Sequence, residues 1–319
     1  MEDLKKQGLM VKVSEKLTDY LSCLIKFLQD KKSTWVGQPH LIAKLYEKFG
    51  HLVTKMQSYH TPGTPSQRIV RVKEDWMKIS KEDQKLYRLV VGTLLYLLKY
   101  SRPCLANPLR ELSKALDGAS EGTFKELKRV IKFVLDTADY GLKIKPIEKS
   151  VGEAWTMTVF SDSDYAGDTE TRISVTGFCV FLMGVPISWK SRAQRSVTLS
   201  SSEAEFVALS EAAKEIKFIV QVLLSIGIEV ALPVIVRVDN VGAIFMAENV
   251  STSSRTKHVD IRYHFVQEFI EDGFIKIIFV RTGDNKADIF TKNVVGELYD
   301  KHTNDMVWKA EEMNKSVKK

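Results

Sequence analysis

Four acidic residues in the second half of the chain stand where predicted strands and helices meet: Asp162, Glu205, Asp239 and Asp288. Carboxylates at strand ends and in the first turns of helices can converge on one point, and a cluster of hard oxygen ligands is what Mg²⁺ requires. Two such ions ~4 Å apart can hold both the attacking and the leaving oxygen of a phosphodiester. Taken one at a time, each residue is best explained as a solvated acid, but their order along the chain favours a metal-dependent nuclease site.

Helical periodicity separates two glutamates at the start of the long helix predicted over 202–226. The buried face of that helix is marked by apolar residues at helical spacing: Phe206, Leu209, Ala213, Ile216 and Val220. At 100° per residue, Glu205 lies roughly 60° from the centre of this face and Glu203 roughly 100° away. Glu205 is therefore better placed to reach the sheet edge. The first ligand stays open on physical grounds between Asp162 and Asp164, although Asp162 is nearer the strand.

Length and composition predict a globular chain of two ordinary domains. Its 319 residues and 44% hydrophobic content are sufficient for a substantial core. Its three cysteines lack paired spacing, which argues against disulfides and zinc and favours a reducing compartment. The longest apolar stretch, 89–98, is too short to span a bilayer, and the N-terminus lacks the apolar region of a signal peptide. We therefore expect an intracellular protein without a membrane segment.

Charge is divided unevenly along the chain. Residues 1–150 carry 28 Lys and Arg against 17 Asp and Glu, a net +11, whereas residues 151–319 carry 19 against 23, a net −4. A basic half joined to an acidic half is typical of a protein that holds a polyanion with one part and concentrates carboxylates in the other. Surface charge that serves only solubility explains the basic half equally well.

The first half predicts a β-hairpin followed by helices. Alternating apolar residues and a turn at 30–33 predict the hairpin over residues 17–37. Helices are predicted at 39–50, 82–100, 108–116 and 123–136. Residues 138–153 are predicted as a linker.

The last of these helices carries four cations beside its apolar stripe: Lys125, Lys128, Arg129 and Lys132. Their one-turn spacing forms a row that can follow a phosphate backbone. The solvated face of an amphipathic helix explains the row equally well. The four residues are therefore candidate nucleic-acid contacts, with that alternative open.

The second half predicts a mixed sheet with helices packed on it. Strands are predicted at 156–160, 173–182, 185–189, 234–238 and 275–280. Helices are predicted at 202–226, 241–248, 260–271 and from about 285. Three leading strands of meander type, followed by strands that alternate with helices, favour this architecture.

Several motifs resemble one known family. Those of the second half are SDSDYAGD (161–168), WKSRAQRSVTLSSSEAEF (189–206), VDN (238–240), RTKH (255–258) and ADIFTK (287–292). Together they resemble the ribonuclease H domain of copia-type LTR-retrotransposon polyproteins over about 155–293. Those of the first half are DYLSC (19–23), GQPHLI (37–42), VGTLLYL (91–97) and ANPLRELS (106–113). They resemble the part of the same polyprotein that follows the polymerase palm, where thumb and connection lie.

The resemblance implies an α/β fold. A ribonuclease H-like mixed five-stranded sheet with flanking helices would follow a mainly helical reverse-transcriptase thumb and connection region with a β-hairpin. The expected divisions are the C-terminal part of a reverse transcriptase (1–145), a ribonuclease H domain (154–296) and a C-terminal tail (297–319).

The resemblance also implies an activity, which is metal-dependent endonucleolytic cleavage of the RNA strand in RNA–DNA hybrids. Two Mg²⁺ ions, or Mn²⁺ in their place, would serve as cofactors. Matched to the family pattern, the catalytic residues and metal ligands are Asp162, Glu205, Asp239 and Asp288. Further contacts with the hybrid are expected at Lys190, Arg255 and Lys257. The expected partners are the hybrid and the upstream polymerase portion, in cytoplasmic virus-like particles or in the nucleus.

The polymerase active site is not expected in this chain. A reverse transcriptase of this family needs an aromatic-x-Asp-Asp turn, and no Asp-Asp pair occurs in the sequence. We therefore expect a C-terminal piece of the polyprotein that does not synthesise DNA. The alternative to a nuclease is a catalytically poor remnant that binds nucleic acid, because the polymerase that positions the substrate would be missing.

Overall fold

The computed structural model describes residues 18–28, 32–147, 150–249 and 257–310, without the side chains of 257–261 and 263. In these residues the strands are β1 (Asp19–Tyr20), β2 (Cys23–Phe27), β3 (Thr34–Gly37), β4 (Tyr140–Ile144), β5 (Met157–Asp164), β6 (Val175–Leu182), β7 (Val185–Ala193), β8 (Val234–Val238), β9 (Ile275–Phe279) and β10 (Val307–Lys309). The helices are α1 (Pro39–Phe49), α2 (Lys81–Tyr100), α3 (Ala106–Ser113), α4 (Glu121–Asp136), α5 (Ser201–Ser225), α6 (Val241–Glu248), α7 (Lys257–Glu271), α8 (Asp288–Thr291) and α9 (Gly296–Thr303). None of the helices searched in this part of the chain is long and apolar enough to cross a membrane.

The second half of the chain forms one mixed sheet in the order β7-β6-β5-β8-β9. The first three strands pair antiparallel, as a meander, whereas β8 and β9 are parallel to β5. Helix α5 connects the meander to β8, and α6 and α7 connect β8 to β9. The predicted ribonuclease H-like mixed five-stranded sheet with flanking helices is confirmed.

Each face of this sheet packs into a different apolar core. On β5, Val159 faces a core that α5 and α7 complete, whereas the next residue, Phe160, faces the opposite core. The same alternation separates Val180 from Phe181 on β6, because successive side chains of a strand point to opposite faces. The second of these cores also contains the buried residues of α2, α3 and α4. The two halves of the chain therefore share one core.

The first half contributes a second sheet, which is antiparallel and has the order β1-β2-β3-β4-β10. The predicted hairpin over 17–37 is confirmed, with Leu24 opposite Gly37. The prediction of a linker at 138–153 was wrong, because β4 lies there and pairs with β3 and β10. Residues 297–310, in the segment expected as a C-terminal tail, form most of α9 and all of β10. The pairings of β4 with β3 and β10 join residues more than 100 positions apart. Local sequence patterns do not contain this information.

Candidate metal centre

Three of the four predicted acids lie together at one edge of the mixed sheet. The side-chain oxygens of Asp162, Glu205 and Asp239 all lie within 4.8 Å of one another. Parallel pairing explains two of these positions, since Val159 of β5 stands opposite Val236 of β8. Asp162 and Asp239 each follow three residues later, so the two carboxylates reach the same level at the carboxyl ends of neighbouring strands.

Glu205 is brought to this point by the start of α5. The Ser200 hydroxyl caps the helix by accepting a hydrogen bond from the Glu203 amide at 3.1 Å. Glu205 then lies one turn into the helix, where its Oε1 accepts a hydrogen bond from the Ser163 amide at 3.0 Å. Glu203 is half-buried, and its carboxylate accepts a hydrogen bond from the Leu199 amide instead of reaching the cluster. The helical phase inferred from the apolar face therefore agrees with the deeper burial of Glu205.

Asp288 belongs to α8, which lies against β6 at Gly177, the residue opposite Asp162. A Cβ at position 177 would lie 2.6 Å from Thr291 Cγ2, so only glycine permits this approach. Thr291 in turn donates a short hydrogen bond to Asp162. The structure thus places Asp288 beside the three clustered acids but outside the group whose oxygens lie within 4.8 Å.

Sequence reasoning missed two residues near the cluster, Lys292 and Asn285. Lys292, one turn after Asp288, places its Nζ 3.1 Å from Asp288 Oδ2. Asn285 donates from Nδ2 to the Ser161 carbonyl at 2.9 Å and to Asp239 Oδ1 at 3.3 Å. Both lie near or within the ADIFTK motif, so the motif was the available signal, but its spacing alone does not show which carboxylate each residue contacts.

Burial and mutual repulsion shift the protonation of this cluster. Burial raises the pKa of Asp162 well above its ordinary value, and the carboxylates of Glu205 and Asp288 add to the effect. Burial, then Asp239, raises the pKa of Glu205 to about 8. Burial also raises the pKa of Asp288, although Lys292 opposes that rise. The metal-free cluster is therefore held partly protonated.

The cluster has the properties of a site for a hard divalent cation. All of its donor atoms are oxygens, the ligand type that Mg²⁺ and Mn²⁺ prefer. Glu205 Oε2 and Asp288 Oδ1 are buried without a hydrogen-bond partner among the described residues. Buried carboxylate oxygens are normally paired, so two vacant acceptors directed into one acidic cluster fit a cation.

The second candidate for the first ligand, Asp164, is engaged elsewhere. Its carboxylate forms an ion pair with Arg68 of the first half of the chain. Burial raises the pKa of Asp164, while Arg68 and Arg110 lower it. Asp162 is therefore the one of the two that lies in the cluster.

The predicted nucleic-acid contacts of α4 differ in availability. Arg129 donates to the carbonyl and hydroxyl oxygens of Thr61 at 3.3 and 3.1 Å, and Lys132 is paired with Asp136 at 2.5 Å. Lys125 is exposed, and Lys128 lies over the Phe124 ring. Three of the four cations of the predicted row thus make contacts within the protein, two of them with polar partners.

One of the three remaining predicted contacts lies on the mixed sheet, and the side chains of the other two lie outside the part of the chain that the structure describes. Lys190 of β7 lines a pocket together with Arg192, Arg195 and Arg262, and among the described residues Glu211 is its one acidic lining residue. Lys190 lies 3.9 Å from that carboxylate. Arg255 and the side chain of Lys257 lie outside the described residues.

Several known proteins with similar sequences are retrovirus-related Pol polyproteins of transposons. The chain is 34% identical over 210 residues to the retrovirus-related Pol polyprotein from transposon RE2 of Arabidopsis thaliana, an alignment that covers 66% of this chain and 14% of the relative. It is 28% identical over 280 residues to the corresponding polyprotein from transposon TNT 1-94 of Nicotiana tabacum, which covers 85% of this chain and 20% of the relative. No protein-family model matches the chain.

Among solved structures, the chain is similar to the N-terminal ribonuclease H domain of a Mycobacterium tuberculosis protein that was fused to maltose-binding protein. The identity is 12% and the TM-score 0.33, and the match covers 47% of this chain and 98% of that chain. The strand order and the sequence relatives together define the class, a ribonuclease H-like α/β protein of retroelement origin. Its sequence relatives are Pol polyproteins of copia-type retrotransposons, and the chain spans about a seventh of the RE2 polyprotein.

Proposed function

We propose that this chain is a metal-dependent endonuclease that cleaves the RNA strand of RNA–DNA hybrids. The observation that carries the proposal is the group of carboxylates formed by buried Asp162, buried Glu205 and half-buried Asp239, with a vacant acceptor oxygen on Glu205. Burying several carboxylates together is costly unless a cation compensates them. Such a cost at the sheet edge is more simply explained by function than by folding.

The protein contributes ligand placement and charge to this reaction. Asp162, Glu205 and Asp239 would hold one Mg²⁺ or Mn²⁺ ion, and Asp288 with Asp162 a second. When bound, such ions supply a Lewis acid for the phosphodiester and lower the pKa of water. Thr291 and Asn285 hold the Asp162 and Asp239 carboxylates in place through their hydrogen bonds.

We also propose a division of labour along the chain. Residues 154–296 would form the nuclease domain and 1–145 the C-terminal part of a reverse transcriptase, which supports the nuclease sheet through the shared core. The basic pocket around Lys190 and the exposed end of α4 would contact the hybrid backbone, because rows of cations bind phosphates without reading sequence. From its family we expect the chain in cytoplasmic particles or the nucleus, beside the polymerase portion of the polyprotein.

The decisive experiment is cleavage of a labelled RNA–DNA hybrid by the purified chain with Mg²⁺ and with EDTA. Asp239→Asn keeps the shape of the side chain but removes the ligand charge, so we expect at least a ~10²-fold loss of rate with hybrid binding nearly unchanged. Glu205→Gln should be similarly inactive. Glu203→Gln is the matched control, since Glu203 lies two residues away but outside the carboxylate cluster, and it should retain the wild-type rate.

Two outcomes would contradict the proposal. If Asp239→Asn kept most of its rate, Asp239 would not be a ligand for a catalytic ion. If the wild-type chain bound the hybrid but did not cleave it with Mg²⁺ or Mn²⁺, the alternative of a binding remnant would be correct.

A further inference from the structure

The segment that follows β5 is attached to the first half of the chain by charge. Three ion pairs join the two parts: Arg68–Asp164, Lys73–Glu170 and Lys114–Asp168. Every carboxylate of the segment 164–170 is thus matched by a cation that lies at least 50 positions earlier in the sequence. The first of these pairs lies only two residues from Asp162, in the candidate metal centre.

Arg68 is held in place by a buried glutamate. Glu111, which is 2% exposed, accepts a hydrogen bond from the Ile69 amide at 2.8 Å, and so fixes the backbone next to Arg68. The same carboxylate is compensated by Arg110 at 2.6 Å and by Lys114 at 3.0 Å. A buried carboxylate with this many partners is rigid. Glu111 therefore fixes the backbone from which the Arg68 side chain reaches the Asp164 carboxylate.

Asp164 would otherwise compete for the metal centre. Residues two apart on a strand point to the same face, so Asp164 lies on the same face of β5 as Asp162. The chain makes room for Asp164 to turn aside, because a Cβ at Gly167 would lie only 2.0 Å from Asp164 Oδ2. The side chains of Arg68 and Asp164 are 23% and 18% exposed, so solvent screens the pair only in part.

We propose that Arg68 is a positioning residue that keeps the Asp164 carboxylate out of the metal centre, so that Asp162 is the ligand contributed by β5. This inference rests on the proposed metal-dependent nuclease. It gives the first half of the chain a role in shaping the nuclease site. It also explains how a strand can carry two neighbouring aspartates and yet present one carboxylate to the cluster.

A double-mutant cycle tests the inference on the full chain, with Mg²⁺ binding measured by titration calorimetry and cleavage measured separately. In Arg68→Gln the released Asp164 carboxylate adds negative charge beside the cluster. We expect Mg²⁺ to bind about tenfold more tightly, whereas cleavage slows at least about tenfold because the ion is misplaced. Adding Asp164→Asn should restore both values. Asp164→Asn alone should change each by less than about twofold, and Arg68→Lys should resemble the wild type.

If Mg²⁺ affinity rises while the cleavage rate falls, Arg68 acts by positioning Asp164. If Arg68 only stabilised the fold, its loss would lower both the Mg²⁺ affinity and the cleavage rate. The inference is overturned if Arg68→Gln leaves Mg²⁺ affinity unchanged or weakens it, or if Asp164→Asn fails to restore the double variant. Loss of Mg²⁺ binding in Asp164→Asn alone would make Asp164 itself the ligand and would also overturn it. In each of these outcomes, the proposed function still holds if the wild-type chain binds Mg²⁺ and cleaves the hybrid. A wild-type chain that binds no Mg²⁺ removes both.

Discussion

Gly177→Ala tests whether the approach of α8 to β6 assembles the candidate site. The new Cβ would lie 2.6 Å from Thr291 Cγ2, 3.0 Å from Phe290 Cβ and 3.2 Å from the Ala287 carbonyl oxygen. Ordinary contact begins at 3.4 Å, so the closest pair falls short by 0.8 Å. Two of the three neighbours are a backbone oxygen and a Cβ, which a change of rotamer does not move. Helix α8 must therefore move away from the sheet as a unit.

The magnitude follows from this displacement. Overpacking of this kind costs ~1–3 kcal/mol of unfolding free energy, which leaves a protein of ordinary stability folded. Moving α8 outward by most of an ångström lengthens the hydrogen bond from Thr291 to Asp162 and withdraws Asp288. Since a misplacement of ~1 Å can cost ~10²-fold in rate, we expect cleavage to slow ~10- to 100-fold. Hybrid binding should stay within about twofold, because the basic residues of β7 and α4 do not move.

The assays are denaturant unfolding, single-turnover cleavage of labelled hybrid and Mg²⁺ titration. Gly92→Ala is the matched control, because a Cβ there meets nothing within 4 Å. It should stabilise α2 by ~0.5–1 kcal/mol and leave cleavage unchanged. A Gly177→Ala chain that is destabilised but cleaves at the wild-type rate would refute the reasoning, since the strain would then be absorbed away from Asp162 and Asp288.

Three further predictions follow from the charges. Without metal, the unfolding free energy should fall as pH rises from 4.5 through about 8, because the folded chain keeps a proton on Glu205 that the unfolded chain releases. Glu205→Gln should flatten this pH dependence in denaturant titrations, and an equally steep dependence in the variant would disprove the role of Glu205. Lys292→Gln removes the ammonium 3.1 Å from Asp288, and calorimetry should show Mg²⁺ binding at least about tenfold more tightly; unchanged affinity would mean that this cation does not face the ion. Lys125→Gln with Lys128→Gln should lower the log–log salt slope of hybrid binding by up to about 2 in fluorescence anisotropy, and an unchanged slope would identify them as a solvated face.

The sequence was most informative where the cause is local. The ends of predicted strands marked Asp162 and Asp239, whereas the parallel pairing of β5 with β8 that brings them together came from the structure. Helical phase separated Glu205 from Glu203 because burial repeats every 3.6 residues. The mixed sheet was also predictable, because its strands are apolar runs and such runs are a property of neighbouring residues.

Elements that depend on distant partners were not predictable in this way. β4 was missed because the short stretch from Tyr140 to Ile144 becomes a strand only through β3 and β10. The four cations on α4 were predicted as one row, but Arg129 contacts Thr61 and Lys132 contacts Asp136. Neither partner is marked by the helical pattern itself.

The sequence by itself predicted the fold class and placed Glu205 and Asp239 among the candidate ligands, because strand ends, helix starts and apolar periodicity are properties of neighbouring residues. Only the tertiary structure decided which carboxylates are free to bind an ion. Arg68 turns Asp164 aside, and Gly177 admits α8 to Asp162. These contacts join segments of chain separated by up to 129 positions, and their energies depend on distances that no local pattern contains.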